Sequence, residues 1–130
     1  MKIIHKAGKR KTAIARATMK PGKGIVRINY QTLENYQPEI AKLKISEPLL
    51  LAGAVSGKYD ISVNVHGGGW HSQAEAVRLA ISRCLMEMDG KLKNKFLEYD
   101  RNLVVADTRR KEVCKPNDSK ARSKRQKSYR

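Results

Sequence analysis

Three glycines, Gly67-Gly68-Gly69, stand between a strand-like alternation and a helix-like stripe, where backbone N–H groups and a helix N-terminus could cradle a phosphate. The flanking residues do not fit a nucleotide loop. A P-loop needs Gly-x-x-x-x-Gly-Lys-Ser/Thr, but five places after Gly67 stand Ser72 and then Gln73, and a dinucleotide fingerprint would need glycine at Ser72. Two readings stay open: an anion site best suited to an RNA phosphate, or a tight turn that lets the helix lie close on the sheet. His66, Trp70 and His71 flank the glycines, yet neither histidine has a second ligand at helical spacing and His5 is remote in sequence. No metal site, catalytic residue or cofactor is expected. Asp100-Arg101 and Asp107-Thr108-Arg109-Arg110 read as local salt bridges, with no paired acid and base.

The remaining chemistry is basic. Lys9, Arg10 and Lys11 cluster near the start, Arg109, Arg110 and Lys111 near the end, and residues 119–130 carry Lys120, Arg122, Lys124, Arg125, Lys127 and Arg130 with no acid. The chain holds 28 basic and 12 acidic residues, a formal charge of +16, and a pI near 10.2. That excess is not spread evenly. Residues 1–33 have nine basic residues and no acid, 34–100 have eight and nine, and 101–130 have eleven and three. Two cationic ends around a neutral middle predict a polyanionic partner. Arginine forks match phosphate oxygens in two-point geometry, and at 5% aromatic content the chain is poor in stacking groups. Both favour backbone recognition of folded RNA or duplex over base stacking.

The elements that must hold these residues follow from periodicity. Lys11 to Met19 alternates, with Ala13, Ala15, Ala17 and Met19 on one face and Arg16 on the other; Pro21 to Gly24 is turn-like, and Ile25 to Asn29 is again extended. Together they read as a hairpin from which Arg16 and Arg27 project. A helix is expected over about 32–43 and another over about 46–51, with Ser46 as N-cap, Pro48 in the first turn and Gly53 as stop. Tyr59 to Val65 alternates cleanly as a strand. Ser72 to Met88 is the clearest helix, with Ser72 and Glu75 in a capping pattern and Ala74, Val77, Ala80, Ile81, Cys84, Leu85 and Met88 on one stripe. A shorter helix over 91–99 and an extended piece over 103–106 precede the tail.

At 130 residues the chain suits one domain, a globular body over 1–108 and an extended basic tail over 109–130. The expected class is α+β, a two-layer α/β sandwich with one mixed sheet covered by helices. The N-terminal residues lack the apolar run of a secretory signal, and the longest apolar stretch, about 48–55, is too short for a bilayer, so a cytoplasmic chain with no membrane partner is expected. Cys84 and Cys114 form no disulfide or metal pattern and read as reduced thiols. The tail cannot bury enough apolar surface to order itself alone.

Eight stretches in order resemble the universal small-subunit ribosomal protein number nine family in its archaeal and eukaryotic-type form. They are residues 8–16, 24–29, 47–53, 65–69, 73–78, 99–101, 105–110 and 126–130, including GKRKTAIAR, EPLLLAG, VHGGG, ADTRR and QKSYR. The resemblance implies a fold also found in the second domain of another small-subunit ribosomal protein and in some small-molecule kinases. It implies a structural protein in the subunit head, contacting rRNA and neighbouring ribosomal proteins, with no homo-oligomer. The tail would thread to the peptidyl site. On this resemblance the rRNA contacts are Lys9, Arg10, Lys11, Arg16, Arg27, Arg109, Arg110, Lys111, Lys120, Arg122, Lys124 and Arg125, with Gly67, Gly68 and Gly69 as a phosphate contact. Lys127, Tyr129 and Arg130 are the tRNA contacts. Bacterial members end in Ser-Lys-Arg where this chain has Ser128-Tyr129-Arg130. Two rivals are a free RNA-binding or annealing protein and a minimal phosphotransferase using Gly67 to Gly69; the second lacks a nearby lysine and a magnesium-binding carboxylate.

Overall fold

The computed structural model describes residues 2–116 and 120. Five strands, β1 (Ile4–Arg10), β2 (Ala13–Pro21), β3 (Val26–Ile28), β4 (Gln31–Thr32) and β5 (Tyr59–His66), form one mixed sheet in the order β1-β2-β5-β3-β4. Helices α1 (Glu39–Ala52), α2 (Trp70–Met88) and α3 (Leu92–Tyr99) make the fold α+β. β5 takes the centre because its alternation is the most apolar: Ile61, Val63 and Val65 are buried, while Ser62, Asn64 and His66 are exposed. It pairs antiparallel with β2 and parallel with β3. This placement overturns the expected hairpin of β2 with β3, since β5 lies between them. β2 pairs instead with β1, which alternation does not announce: its sheet-inward positions include Lys6, Gly8 and Arg10, and only Ile4 is strongly apolar.

The helices cover one face of the sheet. Ala13, Ala15, Ala17 and Met19 of β2 are buried as the alternation requires, beneath Ala74, Ala76, Val77, Ala80, Ile81 and Cys84 of α2. Burial pushes the Cys84 thiol up to about 11, so it stays protonated at neutral pH. At Gly8, β1 and α2 lie backbone to backbone. A methyl built there would overlap the Ala76 carbonyl and the Ala80 amide.

Several local expectations are corrected. One helix, α1, replaces the two expected over 32–51, and Pro48 lies buried inside it. Ser46 does not cap; its hydroxyl donates to the Lys42 carbonyl at 2.8 Å from within the helix. Gly53 ends α1 at φ 57, as expected. Helix α2 begins at Trp70, two residues before the expected start, with Gly69 as N-cap and so no side chain to cap it; Ser72 lies within the first turn and Glu75 accepts from Arg10 at 2.7 Å. The extended piece expected over 103–106 is absent. Asp100 accepts from the Asn102 amide and starts a 3-10 turn, Arg101–Leu103, that drops Leu103 into the core. No helix among the described residues is long and apolar enough to cross a membrane.

The close approach at Gly8 gives a test. Gly8→Ala is expected to lower the unfolding free energy by about 1–3 kcal/mol in urea denaturation, because backbone on both sides must move. An unchanged midpoint and slope would show that α2 does not press on β1 there.

Candidate nucleic-acid interface

No element among the described residues covers the sheet face away from the helices. Alternation puts Lys9 of β1, Arg16 and Lys20 of β2 and Arg27 of β3 on it, all exposed. Arg16 is opposite Asn64 and Arg27 opposite Ser62, so the two arginines flank β5 from either side, roughly 12 Å apart over two strand spacings and a two-residue offset. His5 bonds Thr18 at 3.0 Å beside them. Asp60 is the only acid in any strand among the described residues. Its carboxylate accepts from the Lys23 and Ile25 amides at 2.8 and 3.0 Å, and the Ile25 and Lys23 bonds hold it below the usual carboxylate range. Its negative charge is therefore used in a turn at one end of the face.

Three turns gather at the other end. β1 and β2 are joined by Lys11-Thr12, β5 and α2 by Gly67-Gly68-Gly69, and β3 and β4 by Asn29-Tyr30. Because β5 runs parallel to β3 and antiparallel to β2, all three lie on one rim. Gly67 and Gly68 have φ 79 and 63. A Cβ on Gly67 would strike the Thr12 carbonyl, so the glycines do serve close packing, here of one turn on another. Gln73 Nε2 donates to the Gly67 carbonyl at 3.1 Å. His66 and His71 are exposed; His71 lies 3.1 Å from Lys44 Nζ and 3.7 Å from Glu75. Among the described residues no group of side chains could hold a metal ion.

The chain after α3 docks on the same rim. Arg110 donates to the Lys11 carbonyl at 3.0 Å, and Arg10 donates to the Arg109 carbonyl at 3.2 Å. The Arg10 side chain is 12% exposed and sits between Glu75 at 2.7 Å and Asp107 at 3.4 Å. A second buried arginine, Arg78, joins Glu47 of α1 to Asp100 after α3, the latter at 2.9 Å. The local bridges expected from sequence are thus half right: Asp107 binds Arg109 at 2.7 Å, but Asp100 reaches back to Arg78 and not to Arg101. Burial opposes ionisation of Glu75 and Asp100; for Glu75 the Arg10 bond and nearby cations outweigh it, and for Asp100 the Asn102 amide and Arg78 do. Both carboxyls end below their ordinary values. Asp107 is held far below by its side-chain and backbone bonds to Arg109. The cleft of about 200 Å³ at these clamps is lined by Lys9, Arg10, Lys44 and Arg78 and by Glu47, Glu75, Asp100 and Asp107. Four charges of each sign make it unsuitable for a polyanion.

Among the other sequence-derived residues, Lys11, Lys111 and Lys120 are exposed, as are Arg109 and Arg110. Arg122, Lys124, Arg125, Lys127, Tyr129 and Arg130 lie outside the described residues. Sequence reasoning missed Lys20, although its even-numbered place in the β2 alternation puts it on the same face as Arg16. The two arginine clamps had no sequence signal, because their partners are up to 97 residues apart.

The model of the family described as ribosomal protein S9/S16 matches residues 8–130. The chain is 50% identical to "Small ribosomal subunit protein uS9" of two Methanococcus maripaludis strains, C7 and S2, over 134 aligned positions covering 100% of both proteins. It is 49% identical to the protein of the same description from Methanococcus vannielii, with the same full coverage.

The clamps predict a pH dependence. A carboxyl depressed in the folded state adds stability that is full above its unfolded value, near pH 4, and is lost as pH falls from there through the folded value. Glu75→Gln with Asp100→Asn is expected to be less stable than wild type at pH 7 and to lose less on acidification from pH 5 to pH 2.5. Urea denaturation across that range checks this, and parallel curves would contradict it.

Proposed function

The chain belongs to the ribosomal protein S9/S16 family, and from that premise we propose that it holds small-subunit rRNA on the open face and turn rim of its sheet. It is a structural protein of the small ribosomal subunit. In this reading it sits in the subunit head, in the fold shared with some small-molecule kinases, and its tail runs to peptidyl-site tRNA. The observation that carries the reading is the division of charge. The carboxylates near the rim, Glu75, Asp100 and Asp107, are each engaged by an internal arginine. Lys9, Lys11, Arg16, Lys20 and Arg27 are left exposed without a salt-bridge partner among the described residues. Phosphates can supply what these cations lack.

Roles then divide by geometry. Arg16, Arg27, Lys9, Lys20, Lys11 and Lys111 contact phosphate, with Gly67, Gly68 and Gly69 offering amides beside them. Arg10 acts indirectly, holding Asp107 and the Arg109 carbonyl so that the basic segment leaves the body from a fixed point on the rim. Beyond that point Lys120, Arg122, Lys124 and Arg125 track rRNA, and Lys127, Tyr129 and Arg130 meet the tRNA backbone. The helical layer keeps an exposed apolar row, Ile40, Leu43 and Leu50 of α1, for neighbouring ribosomal proteins.

Two measurements test this. Arg16→Gln with Arg27→Gln is expected to leave the fold intact, weaken binding to small-subunit rRNA, and reduce the slope of log affinity against log salt by about 0.7–0.9 for each phosphate no longer neutralised. An unchanged slope would remove the open face from the interface. In reconstituted small subunits, a chain ending at Gln126 is expected to incorporate normally and bind peptidyl-site tRNA more weakly, with shallower salt dependence. Unchanged tRNA affinity would assign the tail to rRNA alone.

A further inference from the structure

Tyr30 is 92% exposed, the most exposed large hydrophobic residue among those described. Its backbone is also unusual. Asn29 and Tyr30 form the two-residue turn between β3 and β4 with φ 49 and 68. Turns with both central residues in the left-handed region strongly favour Asn-Gly, because a Cβ at the second position is strained. Here a tyrosine occupies that position, and no burial, hydrogen bond or ring contact among the described residues compensates the strain. The turn itself is held firmly. Asn29 Nδ2 donates to the Val65 carbonyl at 3.1 Å, the Val65 amide donates to Asn29 Oδ1 at 2.9 Å, and the Asn29 amide donates to the Val63 carbonyl at 2.9 Å. A strained, rigid turn therefore presents one bare aromatic ring to solvent, an arrangement suited to a ligand rather than to the fold.

The ring's location says which ligand. The turn is on the same rim as Lys11, the glycine turn and the docked Arg109–Arg110 segment. We propose that Tyr30 is a stacking platform for one unpaired base of the rRNA bound at this rim. The proposal rests on the rRNA reading above and adds base recognition to what is otherwise phosphate binding. A protein partner fits less well: interface cores need contiguous apolar surface depleted in charge, and this rim is cationic, with Trp70, 47% exposed, as its other aromatic ring among the described residues.

The test uses the full-length chain and its Tyr30→Phe and Tyr30→Gly variants, titrated against small-subunit rRNA at fixed and varied salt, with chemical probing of base faces. Tyr30→Phe is expected to bind within about twofold of wild type and to protect the same base, since stacking needs the ring and not the hydroxyl. Tyr30→Gly relaxes the turn, so its thermal midpoint should equal or exceed that of wild type, while its affinity falls about 5- to 150-fold. One unpaired base should become reactive, and the salt slope should stay unchanged because every phosphate remains neutralised as before. Wild-type affinity and footprint in the glycine variant would overturn the proposal, as would an equal fall in affinity in the phenylalanine variant. Photocrosslinking of position 30 to a protein neighbour in the particle would also overturn it. If the wild-type chain itself fails to bind the rRNA, the broader reading falls as well, an outcome separable from failure of the variants alone.

Discussion

Helix α2 lies close on β1 and β2 because the surfaces that meet there are built from glycine and alanine: Gly8, Ala13, Ala15 and Ala17 below, Ala74, Ala76 and Ala80 above. Small side chains bury little area each, so the larger core residues Met19, Ile61, Val63, Ile81, Leu85 and Phe96 supply most of the apolar burial. What the small residues provide is proximity. It brings Glu75 and Arg78, on the first half of α2, within reach of Arg10 at the end of β1 and of the chain leaving α3. It also confines the helices to one side, and the opposite face of the sheet stays open among the described residues.

The charge pattern follows from this arrangement. Glu47 of α1, Glu75 of α2, and Asp100 and Asp107 after α3 turn to two arginines, each about one-tenth exposed. Breaking such a pair leaves an uncompensated charge in a partly dry site, so the clamps fix the chain after α3 against α2 and the rim. The cations of the open face and the Lys11 turn have no such partners among the described residues and keep their full charge toward solvent. Five cations of the excess, Lys9, Lys11, Arg16, Lys20 and Arg27, are thereby left where a polyanion can reach them.

Much of this was legible in the sequence. Strong alternation located β2 and β5 to within a residue or two, and the stripe from Ala74 to Met88 located α2. Parity alone put Arg16 and Arg27 on the correct face, although the hairpin expected to carry them does not exist. Strand order was not legible, because sequence neighbours need not pair when a later, more apolar strand competes for the centre. β1 escaped notice because an edge strand with Lys6, Gly8 and Arg10 facing inward lacks an apolar period. Leu103 to Ala106 looked extended from β-branched composition, yet Asp100 capped a 3-10 turn there, a side-chain bond outweighing propensity. The clamps could not be read, since each joins residues far apart in the chain that only the helix–sheet packing brings together.

The central claim is that RNA meets the open sheet face and not the helical layer. Lysine acylation, followed residue by residue by mass spectrometry in the free chain and in intact small subunits, tests it directly. Lys9, Lys20, Lys93 and Lys95 are all exposed in the free chain, the first two on the open face and the last two on α3. The account predicts strong protection of Lys9 and Lys20 in the particle, with Lys93 and Lys95 reacting nearly as in the free chain. Protection of the α3 lysines with Lys9 and Lys20 left reactive would contradict it.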